Sequence, residues 1–434
     1  INMPMHSYKF NFILNPEFGT WCFVSVAIYL CHLLYRKNTL QQQNALLSQI
    51  FYGLSALLLF AASSMEWYYH CEYNLLVGTG INCIAQGQLI IFSAVVLMFL
   101  PQFLCPNGIL SEVLSGVLLV SGAIFTIIAL GHLHSGSFII FVNPDFAAVF
   151  VFLLAILICQ IKYRRTSDAH LISQIIYGLL GLLLLSAVAA EWYWHCKYNI
   201  VTGENILLMK GLVVIFTVVM LLFVIRPISP GGIVSAVLAA ALATIGAMFT
   251  ITNFSSFHNS SFIIFVNTDM AIALSFIVGL FLAAWLFGRN KEEEYNGKSF
   301  TVAFALGAIF MLWIILTQEI YLYWYCKNCF AGPVHNWKFL AQMYISIMWA
   351  IYGAALMVIG FWRKIRTLRY ISIGLFAILL VKVFLIDTQE IKNIYRVAAF
   401  MVTGITLVGI SYLYQYLKKK GFFDALFEDK KLSD

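Results

Sequence analysis

The residue types best suited to chemistry gather in one short stretch that recurs. Glu66-Trp67-Tyr68-Tyr69-His70-Cys71 sets a carboxylate and an imidazole four residues apart, on one face if the segment is helical. The order returns as Glu191-Trp192-Tyr193-Trp194-His195-Cys196, and more loosely as Glu319 followed by Trp324 and Cys326. Glu and His at this spacing could share a proton or hold a divalent metal. Carboxylates beside Trp and Tyr also suit sugar rings and lipid headgroups. A metal site is not expected, because there is no His-Glu-x-x-His pattern and no short stretch holds three ligands. The plain alternative is an interfacial belt: Trp and Tyr favour the headgroup level of a bilayer, where Glu and His are simply wet. Glu66, Trp67, His70, Glu191, Trp192, His195, Glu319 and Trp324 are the candidates for contact with a substrate.

A second group is polar within apolar surroundings. Lys210 sits in Leu207-Leu208-Met209-Lys210-Gly211, and Lys382 in Leu379-Leu380-Val381-Lys382-Val383-Phe384. A charge in hydrocarbon costs about 2.5–3.5 kcal/mol on insertion scales, so it pairs, faces a cavity or snorkels. Snorkelling is the expectation for Lys210. For Lys382 the expectation is a carboxylate partner, Asp387 or Glu319, with Arg396 near in sequence. Gln86 and Gln342 occupy the position of Lys210 in the other copies. The set could line a shared cavity, or act as hydrogen-bond glue between helices.

Other signals lead nowhere. Gly297-Lys298-Ser299 resembles the end of a phosphate loop, but Glu292 stands where that loop needs glycine. Cys326-Lys327-Asn328-Cys329 reads as a turn with thiols. No cofactor motif, nucleophile elbow or catalytic carboxylate pair appears. Five cysteines (Cys71, Cys83, Cys196, Cys326 and Cys329) cluster on one face. An oxidising compartment would allow one or two disulfides there, with connectivity open.

The elements that must position these residues follow from composition. Of 434 residues, 62% are hydrophobic and 10% charged, against about 25% charged in soluble domains. Lipid must cover most of the outer surface, and backbone in lipid demands helices or closed barrels. Unbroken apolar runs such as 206–225 and 368–386 fit helices crossing a core of roughly 30 Å. The reading is an all-α polytopic integral membrane protein of about thirteen transmembrane helices. Their approximate spans are 18–35, 45–66, 84–104 and 110–130; 145–162, 170–191, 206–225 and 232–251; 269–287, 300–320, 338–362 and 368–386; and 392–417.

Internal repetition groups them. The Glu-Trp motif recurs after about 125 residues, with seven of nine positions identical from Glu66 to Asn74 and Glu191 to Asn199. Asn15-Pro16-Glu17 returns as Asn143-Pro144-Asp145 and Asn267-Thr268-Asp269, and Ser137–Asn143 recurs unchanged at Ser261–Asn267. Asn caps a helix, Pro suits its first turn, and the acid meets its positive end. The reading is three parallel tandem four-helix repeats, 1–136, 137–257 and 258–390, then a C-terminal helix at 391–417 and a tail at 418–434.

Eighteen of the 26 Lys and Arg residues fall on one set of loops and tails, six on the other. The basic side reads as cytoplasmic, which puts the C-terminus inside, Ile1 outside, and the Glu-Trp motifs at the outer interface. The net charge of +7 is thus a topology signal, not a nucleic-acid footprint. An outer Ile1 without a signal sequence or initiating methionine leads one to expect a further helix upstream.

The C-terminal segment then resembles a known family. Arg369, Lys382, Phe384-Leu385-Ile386-Asp387, Tyr395-Arg396, Phe400, Gly404 and Ser411-Tyr412-Leu413-Tyr414 are similar to the closing pattern of a family of multi-pass bacterial membrane proteins, domain of unknown function 2339. The helix starts Asn15 to Phe18 and Asn143 to Phe146 also look like its repeated units; Thr268 and Met270 depart from them. The resemblance implies a bacterial cytoplasmic membrane and no particular activity. The functional expectation is a transporter or flippase-like protein handling an envelope lipid or glycan. Its rival is a non-catalytic scaffold or subunit of a larger envelope complex, with other envelope proteins and the lipid bilayer as partners.

Overall fold

The structure, a computed structural model, describes residues 12–13, 15–37, 42–74, 80–98, 109–130, 139–164, 170–200, 204–225, 232–254, 263–289, 297–330, 332, 334, 336–384, 401, 404–405, 408–409, 412 and 415–416. Among these residues helix is the regular secondary structure, joined by short turns, with no strand. The helices are α1 (Pro16–Lys37), α2 (Gln42–Asn74), α3 (Gly80–Met98), α4 (Ile109–Leu130), α5 (Pro144–Arg164), α6 (His170–Asn199), α7 (Glu204–Val224), α8 (Ile233–Phe254), α9 (Thr268–Arg289), α10 (Gly297–Phe330), α11 (Trp337–Trp362) and α12 (Arg366–Lys382). Nine stretches of the described residues are long and apolar enough to cross a membrane, and Cys83–Met98 and Val113–Ile127 form shorter apolar helices. The chain is a polytopic all-α membrane protein. The span expected at 392–417 lies almost wholly outside the described residues.

Three helices are longer than expected. α2, α6 and α10 run for 33, 30 and 34 residues, or about 50 Å at 1.5 Å per residue. Sequence reading ends them near Glu66, Glu191 and Glu319, where apolar periodicity stops. No Pro or Gly follows those glutamates for several residues, so the helices continue past them, and each carboxylate projects from a helix interior.

The chain forms two compact units, residues 1–256 with 266–312, and residues 257–265 with 313–434. In the first, neighbours in sequence pack on one another from α1 to α8, and α3 packs on α5 as α7 packs on α9. Its core includes Tyr52, Leu89, Phe152, Ile156 and Leu183, all nearly inaccessible. Glycines admit the larger rings: a Cβ at Gly122 would lie 2.5 Å from the Phe152 ring, and one at Gly246 would lie 2.6 Å from Phe276. In the second unit α11 packs on α12, and Trp313 meets Trp349 at 4.7 Å between ring centres. Exposed Phe23, Val26, Leu30 and Leu34 on α1, and Ile351 and Val358 on α11, fit a lipid-facing surface.

Candidate functional site

The three glutamates are buried, with relative exposures of 6%, 2% and 0% for Glu66, Glu191 and Glu319. This corrects the expectation of wet interfacial acids. Each carboxylate accepts the backbone N–H of the residue two positions before the capping asparagine that opens the preceding helix. Ile13 donates to Glu66 Oε1 at 2.7 Å, Phe141 to Glu191 Oε2 at 2.9 Å, and Phe265 to Glu319 Oε1 at 2.8 Å. Those donors share a rare backbone conformation, with φ of 67°, 60° and 61°. Left-handed backbone at an Ile or Phe is strained by about 1–3 kcal/mol and persists only where its surroundings fix it. A charged acceptor on the N–H does that fixing.

The capping asparagines complete the arrangement. Asn15 Oδ1 accepts the Phe18 N–H at 2.7 Å, Asn143 Oδ1 that of Phe146 at 2.7 Å, and Asn267 Oδ1 that of Met270 at 2.8 Å. Their amide groups turn the other way. Asn15 Nδ2 donates to Glu66 at 2.7 Å, and Asn143 Nδ2 to both oxygens of Glu191 at 3.0 and 2.9 Å. One glutamate therefore holds a re-entrant turn and the cap of the helix that follows it.

Trp67 and Trp192, one residue on, lie flat against the neighbouring helix. Trp67 Nε1 donates to the Cys83 carbonyl at 2.9 Å, and Trp192 Nε1 to those of Leu207 and Leu208 at 3.3 and 3.2 Å. Each ring needs a glycine beneath it: a Cβ at Gly87 would come within 1.9 Å of Trp67, and one at Gly211 within 2.0 Å of Trp192. The histidines stack beside these rings, His70 at 4.4 Å from Phe12 and 5.6 Å from Trp67, and His195 at 5.6 Å from Trp192. Trp324 packs on Tyr344 at 5.3 Å, with the Lys327 ammonium 5.1 Å above it. Among the described residues no three His, Cys, Asp or Glu side chains form a set that could hold a metal.

Lys210 does not merely snorkel. Its ammonium lies 2.8 Å from Asp269 Oδ1 and donates to Thr268 Oγ1 at 2.8 Å, tying α7 to the first turn of α9. Side-chain exposures of 16% and 12% keep this pair from the screening that weakens surface ion pairs. The glutamine of the preceding copy plays the same part, for Gln86 Nε2 donates to Asp145 Oδ1 at 2.7 Å and ties α3 to the first turn of α5. By that equivalence Lys210→Gln should keep stability within about 0.5 kcal/mol, whereas Lys210→Met should cost about 2 kcal/mol by stranding Asp269. Melting of the detergent-purified variants checks it; a Lys210→Met variant that melts with the parent would show that the ammonium's bonds contribute nothing.

Lys382 is buried at 7% exposure. Its ammonium donates to the Gln342 carbonyl at 3.1 Å and to Ser346 Oγ at 2.6 Å, 5.8 Å from the Trp349 ring centre. A carbonyl, a hydroxyl and a π face thus surround the ammonium. Asp387 and Arg396 lie outside the described residues.

Sequence reading missed two features. The acids Asp145 and Asp269 were assigned only to helix capping, although each also receives a side chain from an earlier helix. Asn253, 6% exposed, has neither amide atom hydrogen-bonded, and borders a cleft with Lys210, Thr250 and Asp269 that is too tight to admit a water molecule. Of the five cysteines expected on one face, Cys71 and Cys83 lie with sulfurs 3.4 Å apart.

Comparison with known sequences places this geometry in a family. The sequence profile described as predicted membrane protein (DUF2339) matches residues 11–417, far beyond the C-terminal segment that first carried the resemblance. The chain belongs to that family. Neither the curated proteins nor the solved structures searched give a match.

Proposed function

We propose that this member of the DUF2339 family is a non-catalytic membrane scaffold, a subunit of a larger assembly in a bacterial cytoplasmic membrane, with its Glu-Trp motifs on the outer side. The observation that carries the reading is where the intramembrane polar groups go. A transporter of the kind expected from sequence needs Gln86, Lys210 and Gln342 along one water-accessible path. Instead Gln86 joins α3 to α5, and Lys210 joins α7 to α9. The Gln342 carbonyl serves the α11–α12 joint. Two of the three matched polar side chains thus serve two separate joints, and at the third position it is the backbone carbonyl that accepts from Lys382. The glutamates are likewise engaged by backbone turns. Recurrence of the Glu–turn, Trp–glycine and polar-joint contacts also supports an origin by duplication of a four-helix unit.

A lipid-exchange assay separates the readings. The full chain is reconstituted into vesicles carrying a fluorescent-headgroup phospholipid, and an impermeant quencher is added. A scaffold leaves the inner-leaflet label protected, as in protein-free vesicles. Rapid loss of that protection, reversed by Lys210→Met, would overturn the scaffold reading in favour of lipid or glycan handling. Then Glu66, Trp67, His70, Glu191, Trp192, His195, Glu319 and Trp324 become the residues to test for substrate contact.

A further inference from the structure

We propose that Cys71 and Cys83 are joined by a disulfide in the mature protein, clamping the outer end of α2 to the start of α3. The two sulfurs already touch at 3.4 Å. A disulfide needs them about 2 Å apart, with α-carbons close enough to span. Two neighbouring contacts hold the helices at that separation. Trp67 Nε1 donates to the carbonyl of Cys83 itself at 2.9 Å, and the Trp67 ring lies where a Cβ on Gly87 would be. The joint is therefore fixed one turn from each cysteine.

The second copy of the motif supplies an internal control. Cys196 occupies the position of Cys71 and is fully buried, while α7 presents Leu207 where α3 presents Cys83. The thiol on α3 is what sets the first copy apart. The charge asymmetry of the loops puts this end of α2 on the extracytoplasmic side, where disulfides form and persist.

The chemistry balances with one external partner, a thiol oxidoreductase of that compartment carrying a reactive disulfide. Cys83 is the more accessible thiol, and Cys71 is 1% exposed. The Cys83 thiolate attacks the partner's disulfide, forming a mixed disulfide and releasing one partner thiolate. The Cys71 thiolate then displaces the second. Two protons leave the chain, two electrons pass to the partner, and the partner departs as a dithiol.

The test is differential alkylation of the full-length chain in its own membranes. Membranes are quenched in acid, denatured, blocked with N-ethylmaleimide, reduced, and relabelled with the deuterated reagent. Cys71 and Cys83 are expected to carry the heavy label, and Cys196 the light one. Non-reducing digestion should yield a single linked peptide pair joining them, and Cys83→Ser should move Cys71 to the light label. Light label on both cysteines of the unaltered chain, or a linked peptide joining either to another cysteine, overturns the proposal. The unaltered chain decides the matter even if the variant fails to fold, and the result does not depend on whether the protein transports lipid.

Discussion

Glu191→Ala is expected to destabilise the chain by about 2–4 kcal/mol, the largest loss from any single polar substitution on this face. Glu191 accepts one backbone N–H and two bonds from the Asn143 amide, all between 2.9 and 3.0 Å. Hydrogen bonds to a charged group contribute about 1.5–3 kcal/mol each, so a simple sum would be larger. Two effects reduce it. Removing the carboxylate also removes its desolvation cost, which is real at 2% exposure. Phe141 is 45% exposed, so part of the freed backbone can find other partners. What cannot be recovered is the left-handed turn at Phe141, which loses its acceptor while keeping its strain. Glu191→Gln keeps the shape and one acceptor oxygen, but points an NH₂ at another donor; its cost should be about 1–2 kcal/mol. Thermal melting of the purified variants, with Asn143→Ala as a third member, orders them. If both glutamate variants melt with the parent, the carboxylate is an exposed interfacial group after all.

That carboxylate shows where sequence reading stops. The capping role of Asn15, Asn143 and Asn267 is legible because it is local: the donor lies three residues away, and Asn before Pro or Thr with an acid behind it has one sensible use. The helices are legible for the same reason, since lipid leaves few alternatives to a long apolar run. The glutamates' partners lie about fifty residues off in the chain. Nothing in an aromatic or β-branched residue announces a left-handed backbone that both types disfavour. A matched signal was nevertheless present. Glu and Asn recur together in all three copies, and a pair of polar types that travels together often marks one joint.

Lys210 was harder to read for a related reason. Its own neighbours are Met209 and Gly211, and its partners Thr268 and Asp269 begin the next copy. The pairing became readable only through its counterpart. Gln86 and Lys210 differ in charge yet bond the same first-turn acid, so the acid, not the cation, is the constant of the joint. An acid in the first turn already faces the positive helix end, which lets a neutral glutamine suffice in one copy while a lysine serves in another.

Gly211→Met is expected to abolish correct packing of α6 on α7, and Trp192→Ile is expected to rescue it. A Cβ at position 211 would lie 2.0 Å from the Trp192 indole, far inside any real contact. Trp192 is held in place by two carbonyls of α7, so it cannot swing aside without losing them. Overpacking of a fitted interface costs about 1–3 kcal/mol for modest additions; a whole methionine side chain should reach or exceed the upper end. The third copy shows how the conflict is avoided. There Ile320 follows Glu319 and Met343 follows Gln342, so the indole and the glycine are both absent from the sequence of that copy. Trp192→Ile alone leaves a hollow where the indole lay and should cost about 3 kcal/mol. The double variant, Trp192→Ile with Gly211→Met, should be more stable than either single one, with a coupling of about 2 kcal/mol or more in its favour. Expression and melting of the four proteins in detergent measure that coupling. Strictly additive losses would mean that the two positions do not share a seat, and the correspondence between the second and third copies would then fail at this joint.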